Sequence, residues 1–61
     1  MNLFQALENG YNLLKTNNIN SYKIDAELLL SDSLNISKER LILNLKRVIN
    51  NETYNNFLLK I

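Results

Sequence analysis

The apolar positions of the chain are densest along one segment near its middle. Ser21 is a good N-cap residue, and Asp25 and Glu27 follow it in the first turns of the helix that it would begin. The segment then becomes almost wholly apolar and includes the three consecutive leucines 28–30. Because apolar residues occupy most of the helical circumference, the pattern predicts a central helix over Tyr22–Leu34 that is buried on several sides.

Another amphipathic helix is predicted at the start of the chain. Asn2 and Gln5 have the spacing of a capping box, in which each side chain bonds the backbone N–H of the other residue. Gly10 lies inside this helix, where it either costs about 1 kcal/mol or permits the close approach of a neighbour. The face predicted to enter the core carries apolar residues at helical spacing, namely Leu3, Phe4, Leu7, Tyr11 and Leu14.

Two Asn-Ile pairs are predicted to end these two helices. Asn18 and Asn35 stand where helices commonly end in a left-handed residue, since Asn tolerates a positive φ better than most residues do. Ile19 and Ile36 would then occupy the position that makes the hydrophobic contact of a Schellman ending. The chain has no proline and a single glycine, so asparagine takes over the role of helix terminator.

Two shorter helices are predicted in the second half of the chain. Ser37 is the candidate N-cap of the third helix, whose end is not marked by any breaker. Its apolar residues are Leu41, Ile42 and Leu45. Asn50 is the candidate N-cap of the last helix. That helix has Glu52 in its favourable first turn and apolar residues at i, i+3, i+4 and i+7, namely Tyr54, Phe57, Leu58 and Ile61.

No segment alternates with a period of two, so the sequence predicts an all-α fold. We expect a small bundle of four or five short helices, with the helix over Tyr22–Leu34 at its centre. The last helix has no stop signal before the end of the chain. This pattern indicates that the 61 residues form one domain, 1–61, of a longer protein.

Composition narrows the possible chemistry. The chain of 61 residues contains no Cys and no His, so a disulfide, a thiolate metal site and a catalytic His are all excluded. The net charge of +1 does not favour nucleic-acid binding by attraction alone. No apolar run approaches the roughly 20 residues of a membrane span, and the start lacks the basic residues of a signal peptide. The lack of Cys is compatible with the cytoplasmic location that we expect.

Asp25 and Glu27 are the carboxylates to consider for a functional role. They are two residues apart, so on a helix they point to different faces and do not form a paired acid and base. The helix dipole favours both as charges of the first turns. Alternatively, one of them accepts hydrogen bonds from a linker or domain outside this chain. Tyr22, at the first helical position, either exposes its ring or packs over Ile24 or Ile19.

Basic residues surround the third helix, where Glu39 is the one acid. A solvated face is the ordinary explanation, and a surface that contacts a partner is the alternative. The four basic residues are Lys38, Arg40, Lys46 and Arg47. The aromatic residues at helical core positions are Phe4, Tyr11, Tyr54 and Phe57, and they form no platform on which nucleic-acid bases would stack.

The stretch from Asn18 to Leu30, followed by Leu34-Asn35-Ile36, resembles the N-terminal helical domain of the release factor glutamine methyltransferases, the PrmC/HemK family. That family typically reads Gly-Ile, a short gap, Ser-Pro-Arg-Leu-Asp-Ala-Glu-Leu-Leu-Leu, and then Leu-Gly. The resemblance spans essentially the whole chain, and its specificity is concentrated in residues 24–30. Asn18 and Asn35 stand where the family has glycine, and Tyr22 stands where it has proline. These differences affect the stability of the helix ends more than the assignment to the family.

The resemblance implies a parent enzyme with two domains. An α/β domain that binds S-adenosylmethionine would follow the helical domain. It would methylate the side-chain amide nitrogen of the glutamine in the Gly-Gly-Gln loop of a bacterial peptide chain release factor. The family's Asn-Pro-Pro-Tyr motif and Gly-rich cofactor loop match nothing in this chain, so no catalytic or cofactor-binding residue is expected here.

The same resemblance implies two partners, the release factor and the catalytic domain of the parent enzyme. The helical domain would help to hold the release factor while the other domain performs the chemistry, which places the glutamine near the methyl donor. Neither a membrane nor a nucleic acid is expected as a partner. The candidate residues for contacts with the substrate or the catalytic domain are Tyr22, Asp25, Glu27, Arg40 and Arg47.

Two alternatives belong to other functional classes. One is a free-standing DNA-binding module that reads DNA with the basic third helix, although the near-neutral charge and the acids of the second helix oppose it. The other is a small interaction or antitoxin-like bundle with an exposed apolar face, which would form a tight homodimer.

Overall fold

Four helices follow one another along the chain, and the second contacts each of the other three. The computed structural model describes all of residues 1–61, with α1 over Leu3–Thr16, α2 over Tyr22–Leu34, α3 over Lys38–Leu43 and α4 over Asn51–Leu59. There is no strand, and the molecule measures 28 × 22 × 17 Å. The predicted all-α bundle, with the second helix at its centre, is confirmed.

Gly10 of α1 lies close against the ring of Phe57 of α4. A Cβ atom added to Gly10 would lie 2.5 Å from Cζ of Phe57 and 3.4 Å from Cβ of Ala26 in α2. Gly10 does not have a positive φ, so the space it leaves, rather than its backbone freedom, explains the glycine. The predicted close approach is therefore confirmed. Nine buried apolar residues form the core: Leu3, Ala6, Leu7, Leu14, Ala26, Leu30, Leu41, Ile49 and Phe57.

Side-chain caps begin three of the four helices as predicted. Asn2 accepts from the N–H of Gln5 at 2.8 Å, and Gln5 accepts from the N–H of Asn2 at 2.9 Å, which completes the capping box. Ser37 and Asn50 each accept from the backbone N–H three residues later, at 3.1 and 2.8 Å. Each of these bonds satisfies a helical N–H that has no partner within its own helix.

Ser21 precedes α2 but does not cap it with its side chain. Its backbone (φ −88°, ψ 27°) lies outside the extended region that the other three N-cap residues adopt. The Ser21 hydroxyl instead donates a hydrogen bond of 3.0 Å to the carboxylate of Asp25. The predicted side-chain cap at Ser21 is therefore wrong.

The two Asn-Ile pairs end α1 and α2 in the same way. Asn18 and Asn35 have positive φ values of 63° and 57°. The N–H groups of Ile19 and Ile36 each donate to a carbonyl five residues earlier, at 3.1 Å in both cases. This is the bond that defines a Schellman ending, so both predicted helix ends are confirmed.

After α3 the chain runs back along the start of α1. α3 ends at Leu43, and the following segment contributes carbonyls to the first turn of α1: Leu3 N–H donates to Arg47 at 2.8 Å, and Phe4 N–H donates to Leu45 at 2.9 Å. An isolated antiparallel bridge between residues 2 and 48 lies beside these bonds. The first turn of α1 is thus hydrogen-bonded to a segment distant in sequence.

Several apolar residues predicted to be buried lie at the surface. Ile24 and Leu28 of α2 are each 54% exposed, and Phe4 of α1 is 48% exposed. The three neighbouring helices leave this side of α2 uncovered, because a chain this small cannot surround a helix. α2 is thus covered by three helices, as predicted, except on the side of Ile24 and Leu28, and the predicted core position of Phe4 is wrong.

α4 follows its predicted pattern but ends earlier than predicted. Phe57 is fully buried, whereas Tyr54 and Leu58 are half-buried. The helix ends at Leu59 rather than at Ile61, and Ile61 packs against the core from outside the helix. Near this end, Nζ of Lys60 lies 2.8 Å from a carboxylate oxygen of Asp32 in α2.

Candidate functional site

Glu27 lies where α1, α2 and α3 meet, and both of its carboxylate oxygens have partners. Tyr11 of α1 donates its hydroxyl to Oε2 at 2.9 Å, and Nζ of Lys38, the first residue of α3, lies 3.1 Å from Oε1. Only 17% of the Glu27 side chain is exposed. A half-buried carboxylate with two partners on two other helices fixes the relative positions of those helices. Glu27 therefore bonds within this chain.

Tyr22 lies beside this network. Its ring packs edge-to-face against Tyr11, with the ring centroids 6.2 Å apart and the planes at 78°. Nζ of Lys15 lies 5.8 Å from the centroid of the Tyr22 ring, within cation–π range. The ring is half-buried, and it packs against the core as well as against these two residues of α1.

Burial together with the Glu27 contact raises the pKa of Tyr11 to about 12. Burial is the largest cause, followed by the hydrogen bond to Glu27 and by the negative charges of Glu27 and Glu8. Each of these causes disfavours the ionised form of the Tyr11 hydroxyl. Tyr11 is therefore a neutral hydrogen-bond donor at physiological pH.

Asp25 is separate from this network. Its carboxylate accepts the hydroxyl of Ser21, four residues earlier on the same chain segment, and it is half-buried. Glu27 bonds to other helices instead. The two carboxylates have different partners, in agreement with the different faces that their spacing predicts.

Arg40 and Arg47 lie on another surface, at α3 and the turn that follows it. Both are exposed, as is Lys46, and none of the three belongs to either of the two ion pairs in the structure. Ile42 and Leu43 lie between them in sequence, and Leu43 is 82% exposed. We call this surface the α3 face, defined by Arg40, Ile42, Leu43, Lys46 and Arg47.

The five candidate contact residues thus fall into two groups. Tyr22 and Glu27 are joined through Tyr11, with Asp25 nearby in sequence but bonded elsewhere. Arg40 and Arg47 lie on the α3 face. The structure therefore assigns Glu27 a bond between helices, while the two arginines face solvent.

Sequence reasoning did not identify Tyr11 and Lys38 as partners of Glu27. Tyr11 was interpreted only as a core residue, although the hydroxyl of a buried tyrosine usually requires a hydrogen-bond partner. Lys38 was interpreted only as part of a basic surface. Both contacts depend on how the helices pack, so no local spacing indicates them.

Two further properties concern possible ligands. No group of three or more Asp and Glu side chains is arranged to hold a metal ion. None of the four helices combines the length and the apolar character needed to cross a membrane.

The chain matches a known protein family. The model of a protein family described as the PrmC N-terminal domain matches residues 5–59. This range begins in the first turn of α1 and ends with the last residue of α4, so it covers nearly the whole bundle. No curated protein and no solved structure matches the chain.

Proposed function

This chain belongs to the family of PrmC N-terminal domains, and from that membership we propose that it recognises and positions a peptide chain release factor for methylation. In this proposal the parent protein is a cytoplasmic methyltransferase that uses S-adenosylmethionine. It transfers the methyl group to the side-chain amide nitrogen of the glutamine in the Gly-Gly-Gln motif. The helical domain binds the release factor, and a separate domain of the parent protein holds the methyl donor and performs the transfer.

Family membership is the observation that carries this proposal, and the packing of α2 supports it. Ala26 and Leu30, within the segment that resembles the family, are fully buried. Glu27, between them, bonds to α1 and α3. The segment is thus a scaffold that holds the helices in fixed positions. A domain that positions a substrate must be rigid, because a loosely held glutamine would lose the entropic advantage of binding.

The test compares the parent enzyme with a variant that lacks residues 1–61. We expect the deletion to lower kcat/KM for an intact release factor by about tenfold or more, mainly through a higher KM. A short peptide that contains Gly-Gly-Gln is the control substrate, because it is too small to reach both domains. Its methylation should change little. A deletion that leaves kcat/KM for the release factor unchanged would refute the positioning role.

A second test asks whether a methyltransferase is present at all. The reading frame that contains the chain should also encode an Asn-Pro-Pro-Tyr segment and a Gly-rich cofactor loop. The purified parent protein should methylate the release factor only when S-adenosylmethionine is added. A reading frame without the Asn-Pro-Pro-Tyr segment would contradict the proposed reaction.

A further inference from the structure

The outward side of α3 is apolar and basic. Leu41 is fully buried and points into the core. On a helix with 100° between successive residues, Glu39 and Leu43 then point away from the core, with Ile42 and Arg40 on either side of them. Leu43 is 82% exposed and Ile42 is 47% exposed. A leucine exposed to this extent on the outermost line of a helix makes no contribution to the core.

Two solvent-open hollows meet at these same apolar residues. One, of about 460 Å³, is lined by Ile42 and Leu43 together with Lys38 and Glu39. The other, of about 390 Å³, is lined by Ile42, Leu43 and residues 44–47. Because the two share Ile42 and Leu43, α3 and the following turn present one continuous surface.

The three cations of the α3 face have no ion-pair partner within the chain. Arg40, Lys46 and Arg47 are exposed and belong to no ion pair. The rest of the sequence carries more acidic than basic residues, whereas the segment from 38 to 47 holds four of the seven basic residues and one of the six acidic ones. The positive charge of the molecule is therefore concentrated beside an exposed apolar pair.

A second exposed apolar surface, on α2, differs in charge. Ile24 and Leu28 of α2 are each 54% exposed, but the hollow beside Leu28 includes Asp25 and has Lys60 as its one cation. Lys60 is already paired with Asp32. That side therefore has one unpaired cation, Lys23 beside Ile24, against three on the α3 face, and it serves as the control surface.

We propose that the α3 face binds an acidic segment of a protein partner, with apolar side chains of that segment packing on Ile42 and Leu43. This inference adds a binding surface to the proposed function. It rests on that function because the release factor is the partner tested first. Complementary charge would steer the acidic segment to Arg40, Lys46 and Arg47, while the apolar contact would hold it there.

The apolar side chains of the α3 face favour a protein over a nucleic acid as this partner. The exposed side chains between the cations are aliphatic, so no aromatic ring is available for stacking on bases. Glu39 points outward at the centre of the surface and opposes phosphates and an acidic protein segment alike. Its position in the first turn of α3 explains its presence there.

The first experiment titrates the isotope-labelled chain with release factor and follows its amide signals by NMR. We expect the largest changes at the α3 face. Replacing all three cations (Arg40→Glu, Lys46→Glu and Arg47→Glu) should weaken binding by about tenfold or more. Lys23→Glu, at an exposed and unpaired lysine of α2, is the charge control and should leave the affinity nearly unchanged.

A second pair of variants separates apolar contact from charge. Leu43→Ser should weaken binding by about tenfold, because it removes the most exposed apolar anchor of the surface. Leu28→Ser removes a leucine that is 54% exposed from the control surface and should have little effect. All of these side chains are exposed, so circular dichroism should show the same helix content in every variant. Glu39→Gln should strengthen binding by removing the repulsion.

The outcomes distinguish this inference from the proposed function. If release factor binds but perturbs the side of Ile24 and Leu28 instead, the inference is overturned and the proposed function stands. If release factor does not bind, the proposed function loses its support. A synthetic helical peptide with Asp and Glu on one side and Leu on the other then decides the inference.

Binding of that peptide at the α3 face supports the inference, and failure to bind overturns it. A peptide in which Lys replaces the acids is the control, and it should not bind. If duplex DNA perturbs the α3 face with steep salt dependence while the acidic peptide does not, the partner is a nucleic acid and the inference is overturned.

Discussion

Replacing Gly10 by alanine tests the close contact between α1 and the Phe57 ring of α4. The new Cβ would lie 2.5 Å from Cζ of Phe57, a distance at which atoms overlap. The ring cannot simply turn away, because Phe57 is fully buried among the core residues. Either the ring leaves its preferred rotamer or α1 and α4 move apart. Alanine, the best helix former, should therefore destabilise this helix bundle.

Two opposing effects set the magnitude. Overpacking a close-fitting core costs about 1–3 kcal/mol. In an exposed helix interior, alanine stabilises by about 1 kcal/mol relative to glycine. The clash exceeds this gain in most of that range, so Gly10→Ala should lower the free energy of unfolding by about 1 kcal/mol. For a chain of this length, whose total stability is about 3–9 kcal/mol, such a loss is readily measured.

Urea unfolding, followed by circular dichroism, supplies the measurement. Gly10→Ala should shift the midpoint to lower urea with an unchanged slope. Asn12 is exposed in the same helix, so the difference between Asn12→Ala and Asn12→Gly gives the propensity effect without a clash. Subtracting it from the Gly10→Ala result isolates the steric contribution.

The contact with Phe57 can be removed separately. In a Phe57→Leu background the ring atoms that meet the new Cβ are absent, so Gly10→Ala should there become neutral or stabilising. This reversal of sign corresponds to a coupling energy of about 1–3 kcal/mol between the two positions. Asn12→Ala should be more stable than Asn12→Gly by the propensity difference alone. If Gly10→Ala raises the free energy of unfolding of the unmodified chain by that same amount, the close contact does not exist.

Three further perturbations address the helix end, the polar network and the core. Asn35→Ala should destabilise the chain by about 1 kcal/mol in thermal unfolding, because alanine tolerates the observed φ of 57° poorly. Asn35→Gly should not. The pKa of Tyr11 is raised to about 12 from 10.0, so its contribution to stability is present below pH 10.0 and should be lost as the pH rises toward 12. Phe57→Ala should cost about 3–5 kcal/mol and leave much of the chain unfolded in circular dichroism.

Each of these has a distinguishing control. Equal stability of Asn35→Ala and Asn35→Gly would show that the left-handed conformation is not adopted. Glu27→Gln should lower the pKa of Tyr11 but not return it to 10.0, because burial is the largest cause of the shift. Tyr11→Phe should abolish this part of the loss of stability at high pH. A Phe57→Ala variant that stays fully helical would contradict the position of that ring at the centre of the core.

The helix ends were predictable because their determinants are local. The capping box of Asn2 depends on a residue three positions away, and the left-handed Asn18 and Asn35 act on the turn that precedes them. The residues that determine such helix ends lie within a few positions of one another in the sequence. Ser21 is the exception. Its hydroxyl can bond either to the first N–H groups of the helix or to the carboxylate of Asp25, and it bonds to Asp25.

Exposure and the polar network were less predictable because they depend on the whole bundle. The run of leucines in α2 indicates an apolar helix without showing how many neighbours cover it, and Leu28 remains uncovered. Glu27 was recognised as a candidate, but its partners Tyr11 and Lys38 come from other helices. Only the relative positions of α1, α2 and α3 bring these three side chains together.

The bonds at the first turn of α1 have a consequence for where the chain is protected from solvent. Helix ends ordinarily fray, and their first amides exchange quickly with deuterium. Here the amides of Leu3 and Phe4 are bonded to carbonyls of the segment that follows α3. Their exchange requires that segment to detach, so they should be protected far more than an ordinary helix start. The same bonds hold the backbone of Arg47 in place, so the exchange of Leu3 and Phe4 would also report on whatever binds to the α3 face.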